Sequence, residues 1–158
     1  MIRLLACGSM KEKWMRDGMH EYAKRIQAYD KLEIIEVPDE KAPENNSDAQ
    51  NEKVKEKEGE RLLARIKPDE FVILLDLAGK SMGSVELSEE IDALHTQGKS
   101  RIDFVIGGSL GVSKDLIARA DYRWCLSKNT FPHQLCRIIV LEQIYRAFRI
   151  LHHEPYHK

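Results

Sequence analysis

The sequence lacks the features that mark several common protein classes. None of its apolar runs approaches the roughly 20 residues of a membrane-spanning helix, and residues 1–14 turn to charged residues too soon for a signal peptide. Only three cysteines occur, Cys7, Cys125 and Cys136, and they form neither a CxxC pair nor an even disulfide framework. We therefore expect a protein of the reducing cytoplasm that does not insert into a membrane.

A large excess of charge is also missing. The formal net charge is −1 at pH 7, which excludes a uniformly basic nucleic-acid binder. The charges are unevenly distributed, because residues 38–60 carry eight acids against four lysines. Residues 119–158 carry seven Lys or Arg and four His against three acids. This is either chance variation along a mixed surface or a sign that the C-terminal quarter faces an anionic partner.

The 158 residues, of which 42% are apolar, fit one domain spanning residues 1–158. Short apolar runs alternate with amphipathic segments, and the run FVILLDL is typical of a strand buried on both faces. The alternation predicts an α/β domain with a mostly parallel sheet flanked by helices. The predicted strands are residues 2–6, 32–37, 71–77, 102–106 and 123–126. The predicted helices are residues 11–26, 48–66, 89–97, 114–120 and 132–151, with Ser88 and Ser113 as N-caps.

The last predicted helix is apolar around most of its circumference. At about 100° per residue, its polar residues Glu142, Gln143, Arg146 and Arg149 form one narrow stripe. A helix this apolar is covered on most sides, which one small chain can hardly provide for a terminal helix. We therefore expect a homodimer formed through this helix. Arg137 lies outside the stripe, so it is either at an interface, functional, or snorkelling to solvent.

The C-terminal residues HEPYH match the H-E-x-x-H pattern of zinc metalloproteases. The pattern binds zinc only on a helix, where His153 and His157 would share one face. Pro155 removes a backbone donor and disfavours a helical conformation for Glu154. We therefore predict no metal site here and a frayed or flexible tail, which could order over a substrate once it binds.

Three predicted strands are followed by loops of small or polar residues, at positions 75–79, 106–111 and 126–131. In open α/β sheets, ligands bind beside the carboxyl ends of strands, and glycine lets the backbone approach a ligand closely. Leu74 and Ile106 stand where a P-loop and a Rossmann motif need glycine, so neither motif is complete. Each glycine alone is compatible with a simple turn. Together the loops predict a small-ligand pocket built largely from main-chain groups.

Several segments resemble the RlmH family: VIGGSLG, SKNTFPHQLCRIIVLEQIYRAFRI and the C-terminal PYHK, with LACGSMKEKW and IIEVPDEKAPENN earlier in the chain. Members of this family are SPOUT-class methyltransferases that use S-adenosylmethionine. The resemblance covers the whole chain and implies methylation of N3 of a pseudouridine in the 23S rRNA stem-loop at the subunit interface. It implies a homodimer that acts on assembled ribosomes. It also implies a C-terminal trefoil knot, which general rules of chain connection do not predict.

The resemblance also implies the functional residues. The matching methyl-donor contacts are Leu75, Gly107, Leu126, Ser127, Lys128, Asn129, Thr130 and Phe131. The matching catalytic candidates are Arg146, Tyr156 and His157. His157 is the best candidate for a general base, because imidazole titrates near neutral pH. Tyr156 could stack on or hydrogen-bond to the target base, and Arg146 could stabilise charge on its carbonyl groups or bind a phosphate.

Two other functions are compatible with the residues. A non-catalytic, ribosome-associated RNA-binding module would use the basic C-terminal quarter but needs no donor pocket, and no RNA-module signature is present. A small-molecule enzyme on a flavodoxin-like sheet would use the pocket but gives the histidine-rich tail no role. Donor binding separates the first alternative from a methyltransferase, and methyl transfer to rRNA separates the second.

Overall fold

A computed structural model describes residues 1–42 and 44–158. In this part of the chain the strands are β1 (Ile2–Cys7), β2 (Leu32–Val37), β3 (Phe71–Ser81), β4 (Ile102–Ile106) and β5 (Tyr122–Cys125). The helices are α1 (Lys13–Ile26), α2 (Asp48–Leu63), α3 (Ser84–Thr96), α4 (Lys114–Arg119) and α5 (His133–Leu151). Strands and helices alternate along the chain, as predicted. No helix among the described residues is long and apolar enough to cross a membrane.

The strands form one sheet in the order β2-β1-β4-β3-β5, and all neighbouring strands are parallel. The interior strand β1 is buried along its whole length because helices cover both faces of the sheet. Leu4 and Ala6 point into the larger core, which α1, α3 and α5 complete. Leu5 and Cys7 alternate to the opposite face and pack with α2 and α4. The predicted parallel α/β domain is therefore confirmed.

The strand β3 is longer than predicted, and its second half is irregular. Leu75 and Lys80 both pair with Trp124 of β5, so residues 76–79 bulge out between these two positions. The predicted loop at 75–79 therefore lies inside the strand and not after it. Gly79 is required in the bulge, because a Cβ atom there would lie 2.3 Å from the carbonyl oxygen of Arg123.

The predicted start of α3 is wrong. The helix begins at Ser84, and Ser88 lies within it, where its hydroxyl donates a hydrogen bond to the carbonyl oxygen of Val85 (2.6 Å). A serine inside a helix can bond back to the preceding turn, and a sequence pattern alone does not distinguish this from a cap. The predicted cap Ser113 is confirmed, since its side chain accepts a hydrogen bond in the first turn of α4. Pro132 immediately precedes α5, as its role at a helix start predicts.

The position of α5 depends on Arg137, which is fully buried. Its guanidinium donates hydrogen bonds to the main-chain oxygens of Cys7 and Gly8 and to the side chain of Glu36 (3.1 Å). These groups lie at the carboxyl ends of β1 and β2. Arg137 therefore neither snorkels nor lies on the surface as an interface contact would. It connects the first turns of α5 to the edge of the sheet where ligands are expected to bind.

A second buried charge cluster lies at the opposite end of the sheet. Arg3 donates to Glu70 (2.7 Å) and lies 3.4 Å from Asp103, which is fully buried. Burial raises the pKa of Asp103 to about 7, although Arg3 opposes this shift. Burial also acts to raise the pKa of Glu70, but hydrogen bonds from Arg101 and from the Lys67 main chain outweigh it and lower this pKa to about 2. One of the two neighbouring carboxyl groups therefore retains its proton at mildly acidic pH.

We predict that Arg137→Met lowers the free energy of unfolding by about 3 kcal/mol, because two buried carbonyl oxygens lose their donor. Arg137→Lys retains a charged donor, so its free energy of unfolding should fall less than that of Arg137→Met. Urea denaturation of both variants, with an unchanged dependence on denaturant, measures the effect. The matched control is Arg25→Met, since Arg25 is exposed and bonds to Glu21 within α1. A loss as large in the control as at Arg137 would contradict this account.

A second prediction concerns the pH dependence of stability. Because the pKa of Asp103 is raised to about 7, the folded protein holds a proton that the unfolded chain has already lost above about pH 4. This contribution to stability is complete below about pH 4 and is lost as the pH rises through about 7. Asp103→Asn cannot lose this proton, so its free energy of unfolding should fall less than that of the wild type between pH 5 and pH 8. Equal declines in both proteins would show that Asp103 does not titrate in this range.

Candidate active site

The carboxyl ends of β3, β4 and β5 surround one cavity of about 630 Å³. Its wall combines the bulge of β3 with residues 106–112 after β4 and the segment that leads into α5. This is the edge of a parallel sheet at which α/β domains bind ligands, and the volume is that of a small-molecule site. Lys128 is not among the lining residues. The other seven predicted donor-binding residues line the cavity together: Leu75, Gly107, Leu126, Ser127, Asn129, Thr130 and Phe131.

The cavity also has lining residues that the sequence did not single out, because tertiary contacts bring them together. The carboxylate of Asp76 is paired with Arg123 of β5 at 2.7 Å, which holds the bulge of β3 against its neighbour. Burial, followed by the charge of Arg137, lowers the pKa of His133, so its imidazole is uncharged at neutral pH. A more open groove of about 920 Å³ between α3 and the end of α5 contains none of the predicted functional residues. The lining residues that the sequence did not single out include Asp76, Trp124, His133 and Cys136.

Close packing explains the glycines of the loop after β4. A Cβ atom on Gly107 would lie 2.8 Å from the carbonyl oxygen of Gly111. A Cβ atom on Gly108 would lie 2.6 Å from the carboxylate of Glu58, a buried residue of α2. Burial raises the pKa of this carboxyl group. Larger side chains would therefore displace the loop from the cavity wall, and the acid-rich segment 38–60 contributes one of the groups that support it.

The C-terminal tail folds back against the protein. Residues 153–157 follow α5 as turns, so His153 and His157 do not share a helical face as the zinc pattern requires. Glu154 accepts a hydrogen bond from Tyr29 (2.8 Å) and forms an ion pair with Arg149. Within the described residues, no group of three His, Cys, Asp or Glu is placed to hold a metal ion. The prediction of a frayed or flexible tail is therefore wrong for the free chain.

The three predicted catalytic residues meet in one network around Glu142. The Nε and Nη2 atoms of Arg146 donate to Oε1 of Glu142 at 3.0 and 2.6 Å, and the hydroxyl of Tyr156 donates to the same oxygen at 3.2 Å. The Nη1 atom of Arg146 lies 3.2 Å from Nδ1 of His157. The ring of Tyr156 packs edge-on against Tyr145 and lies 4.7 Å below the guanidinium of Arg146. The sequence placed Glu142 only on a polar stripe, because its partners in the tail are distant along the chain.

The cavity and the Glu142 network lie on different parts of α5. His133 lines the cavity at the start of the helix, whereas Glu142 and Arg146 are 9 and 13 residues further along. With a rise of 1.5 Å and a turn of 100° per residue, the cavity residues His133 and Cys136 lie about 9–20 Å along the helix from Glu142 and Arg146, on different sides of it. None of the three predicted catalytic residues lines the cavity.

Apolar side chains remain accessible on the first half of α5. Leu135, Ile138 and Ile139 lie on the same helical face as Arg146 and are only partly buried. The neighbouring helix α1 contributes Trp14, which is 61% exposed. An exposed face of this composition is typical of a contact between protein chains.

Comparisons with known proteins agree over the whole chain. The family model described as "Predicted SPOUT methyltransferase" matches residues 1–157. The chain is 55% identical over 157 residues to the ribosomal RNA large subunit methyltransferase H of Clostridium acetobutylicum, with 99% of each protein covered. It is 54% identical to the protein of the same name from Alkaliphilus oremlandii, with the same coverage. A probable methylase family protein from Haemophilus influenzae has a similar fold, with a TM-score of 0.54 at 15% identity, over 96% of this chain and 66% of that one.

Proposed function

Since this chain belongs to the SPOUT methyltransferases of the ribosomal RNA large subunit methyltransferase H family, we propose that it methylates N3 of a pseudouridine in 23S rRNA. The family resemblance seen in the sequence is thereby confirmed. The proposed substrate is the subunit-interface stem-loop of the assembled ribosome, and the proposed compartment is the cytoplasm. The observation that carries the proposal is the cavity at the ends of β3, β4 and β5, where seven of the eight expected donor contacts meet.

The proposed methyl donor is S-adenosylmethionine, and the cavity suits its chemistry. Leu75, Leu126 and Phe131 provide apolar surface for a purine ring, while the glycine loop after β4 and the residues Ser127, Asn129 and Thr130 contribute polar groups to the wall. His133 adds no positive charge at neutral pH, so it does not repel a sulfonium cation. The C-terminal trefoil knot belongs to the same proposal. It is supported by the three chain segments that meet around this cavity.

The residues of the chain would act mainly by positioning. When bound, S-adenosylmethionine supplies a methyl group that its sulfonium already activates, so the protein must align donor and acceptor and remove the N3 proton. The loop after β4 and the segment 126–131 would hold the donor. Arg146, Tyr156 and His157 would hold the target base and stabilise charge on its carbonyl oxygens. Two groups near the base can take up the proton, namely the imidazole of His157 and the carboxylate of Glu142 through the hydroxyl of Tyr156.

The same proposal includes a homodimer whose active site is shared between protomers. Along α5, the cavity residues of one chain and its Glu142 network are about 9–20 Å apart, and none of the three catalytic residues lines the chain's own cavity. Methyl transfer requires the reacting atoms to be about 3 Å apart, which supports a network that meets the cavity of the partner chain. The partly exposed apolar face of α5, with Trp14 beside it, supports association through this helix. Two-fold symmetry would then form two equivalent active sites.

A third prediction is methyl transfer from radiolabelled S-adenosylmethionine to ribosomes that lack the modification. We expect label in the 23S rRNA of whole ribosomes and little in deproteinised 23S rRNA. The reason is that a chain of near-zero net charge gains little affinity from phosphate contacts alone. The control is Thr130→Trp, which fills the rim of the donor cavity and should abolish both donor binding in calorimetry and labelling. Absence of labelling and of donor binding in the wild type would favour the non-catalytic RNA-binding module.

A fourth prediction uses two inactive variants, Thr130→Trp for the cavity and His157→Ala for the tail. When the variants are mixed and their subunits exchange, half of the dimers contain one subunit of each kind. If the site is shared, each mixed dimer has one intact site, so the mixture should regain about a quarter of wild-type activity. No recovery, despite subunit exchange demonstrated by mass spectrometry, would place both halves of the site in one chain. A monomeric sedimentation profile at micromolar concentration would also contradict the homodimer.

A further inference from the structure

The hydroxyl of Tyr156 donates its single proton in a hydrogen bond to Glu142. A carboxylate only accepts hydrogen bonds, so Tyr156 must be the donor in its 3.2 Å contact with Oε1 of Glu142. Burial, together with the negative charge of Glu142, raises the pKa of Tyr156, so the phenol keeps this proton at neutral pH. The oxygen of Tyr156 is then left with lone pairs only. Towards an incoming base it is a hydrogen-bond acceptor.

Arg146 likewise fixes which ring nitrogen of His157 accepts a hydrogen bond and which one donates. A guanidinium has no acceptor, so Nη1 of Arg146 must donate to Nδ1 of His157 across their 3.2 Å separation. In a neutral imidazole that accepts at Nδ1, the proton is on Nε2. The Nε2–H group of His157 is therefore the one available to a substrate. His157 presents a donor beside the acceptor that Tyr156 presents.

Glu142 is itself held in place by a further chain of hydrogen bonds. Its Oε2 atom accepts from Nε2 of Gln143 at 2.9 Å, and Oε1 of Gln143 accepts from the hydroxyl of Ser84 on α3 at 2.6 Å. The side chain of Glu142 is 17% exposed, so few water molecules compete for it. Bonds from Arg146 and Tyr156 occupy its other oxygen. Glu142 therefore fixes the direction of the Tyr156 hydroxyl and, through Arg146, the tautomer of His157.

We propose that Glu142 is a positioning residue that makes the acceptor site selective for the N3–H edge of a uracil-type base. It fixes Tyr156 as an acceptor for the N3–H group and, through Arg146, fixes His157 as a donor to the neighbouring carbonyl oxygen. Cytosine has a lone pair at N3 and an amine beside it, so it meets both groups with the wrong polarity. This inference rests on the proposed function and explains how its substrate class would be selected.

The arrangement also gives the N3 proton one path. Because Arg146 occupies the Nδ1 lone pair of His157, the imidazole has no free site for a proton. The N3 proton therefore passes to the oxygen of Tyr156, while the hydroxyl proton of Tyr156 passes to Oε1 of Glu142. At the same time the N3–carbon bond forms, and the carbon–sulfur bond of the donor breaks with its electron pair remaining on sulfur. This replaces the assignment of His157 as the general base.

The test is Glu142→Gln in the full-length protein, assayed on ribosomes that lack the modification. The amide can offer its NH₂ group to Tyr156 and so reverse the direction of the hydroxyl, and it cannot take up the proton. We expect kcat to fall roughly 10²-fold, with donor affinity and melting temperature unchanged. The matched control is Glu154→Gln, because the Glu154 carboxylate bonds to Arg149 and Tyr29 and so anchors the same tail without contacting the hydroxyl of Tyr156 or the imidazole of His157. Equal losses in both variants would mean that Glu142 only anchors the tail, which would overturn the inference.

Two further measurements test the donor role of His157. Glutamine at this position can donate from its amide but cannot act as a base, so His157→Gln should retain much of the activity that His157→Ala loses. Long-range ¹H–¹⁵N NMR of the imidazole, independent of activity, should show the Nε2–H tautomer in the wild type and a mixture in Glu142→Gln. A predominant Nδ1–H tautomer, or equal inactivity of the two His157 variants, would refute the inference. If wild-type protein did not label ribosomes at all, the proposed function would fail while the NMR result still stood.

Discussion

The buried guanidinium of Arg137 determines where the last helix lies, and both parts of the candidate active site depend on that helix. Its bonds to the main chain of Cys7 and Gly8 connect α5 to the end of the interior strand β1. The start of α5 then closes the cavity at the sheet edge, and its second half carries Glu142 and Arg146. A charge buried this deeply is tolerated because main-chain oxygens and one carboxylate satisfy it. Few other arrangements of α5 would do so, which makes the charge a source of specificity.

One helix therefore carries two sites that do not overlap within one chain. The cavity lies at its start, and the network of Tyr156, His157 and Glu142 lies on another side of the helix, about two to four turns later. Under the proposed function, association is part of the chemistry, because an isolated protomer would bind the donor without the acceptor site beside it. The apolar and basic side chains that remain accessible along α5 are consistent with contacts to both a second chain and RNA.

The sequence predicted the parallel α/β domain, the strands and the edge at which the pocket forms, because continuous apolar runs and strand-end glycines are local signals. It did not predict the bulge of β3, the start of α3 or the docking of the tail. These depend on tertiary contacts, such as the pairing of Trp124 with both Leu75 and Lys80. Arg137 is the clearest example, since a charged residue on an apolar helix is equally compatible with solvent exposure until its partners are known. The role of Glu142 at the centre of its hydrogen-bond network was also not predicted, because its partners in the tail are distant along the chain.

Under the proposed function, the docked tail has a consequence for the thermodynamics of RNA binding. Ordering a flexible segment on a substrate costs about 1–2 kcal/mol of backbone conformational entropy per residue. Here the contacts of Glu154 and Tyr156 order the last turns before any RNA arrives. Most of this entropy is therefore lost when the protein folds, so its loss does not weaken the complex with RNA. Because the tail is ordered before RNA binds, a small chain with little net charge can discriminate among RNA sites through specific contacts. It then needs no large electrostatic contribution to affinity.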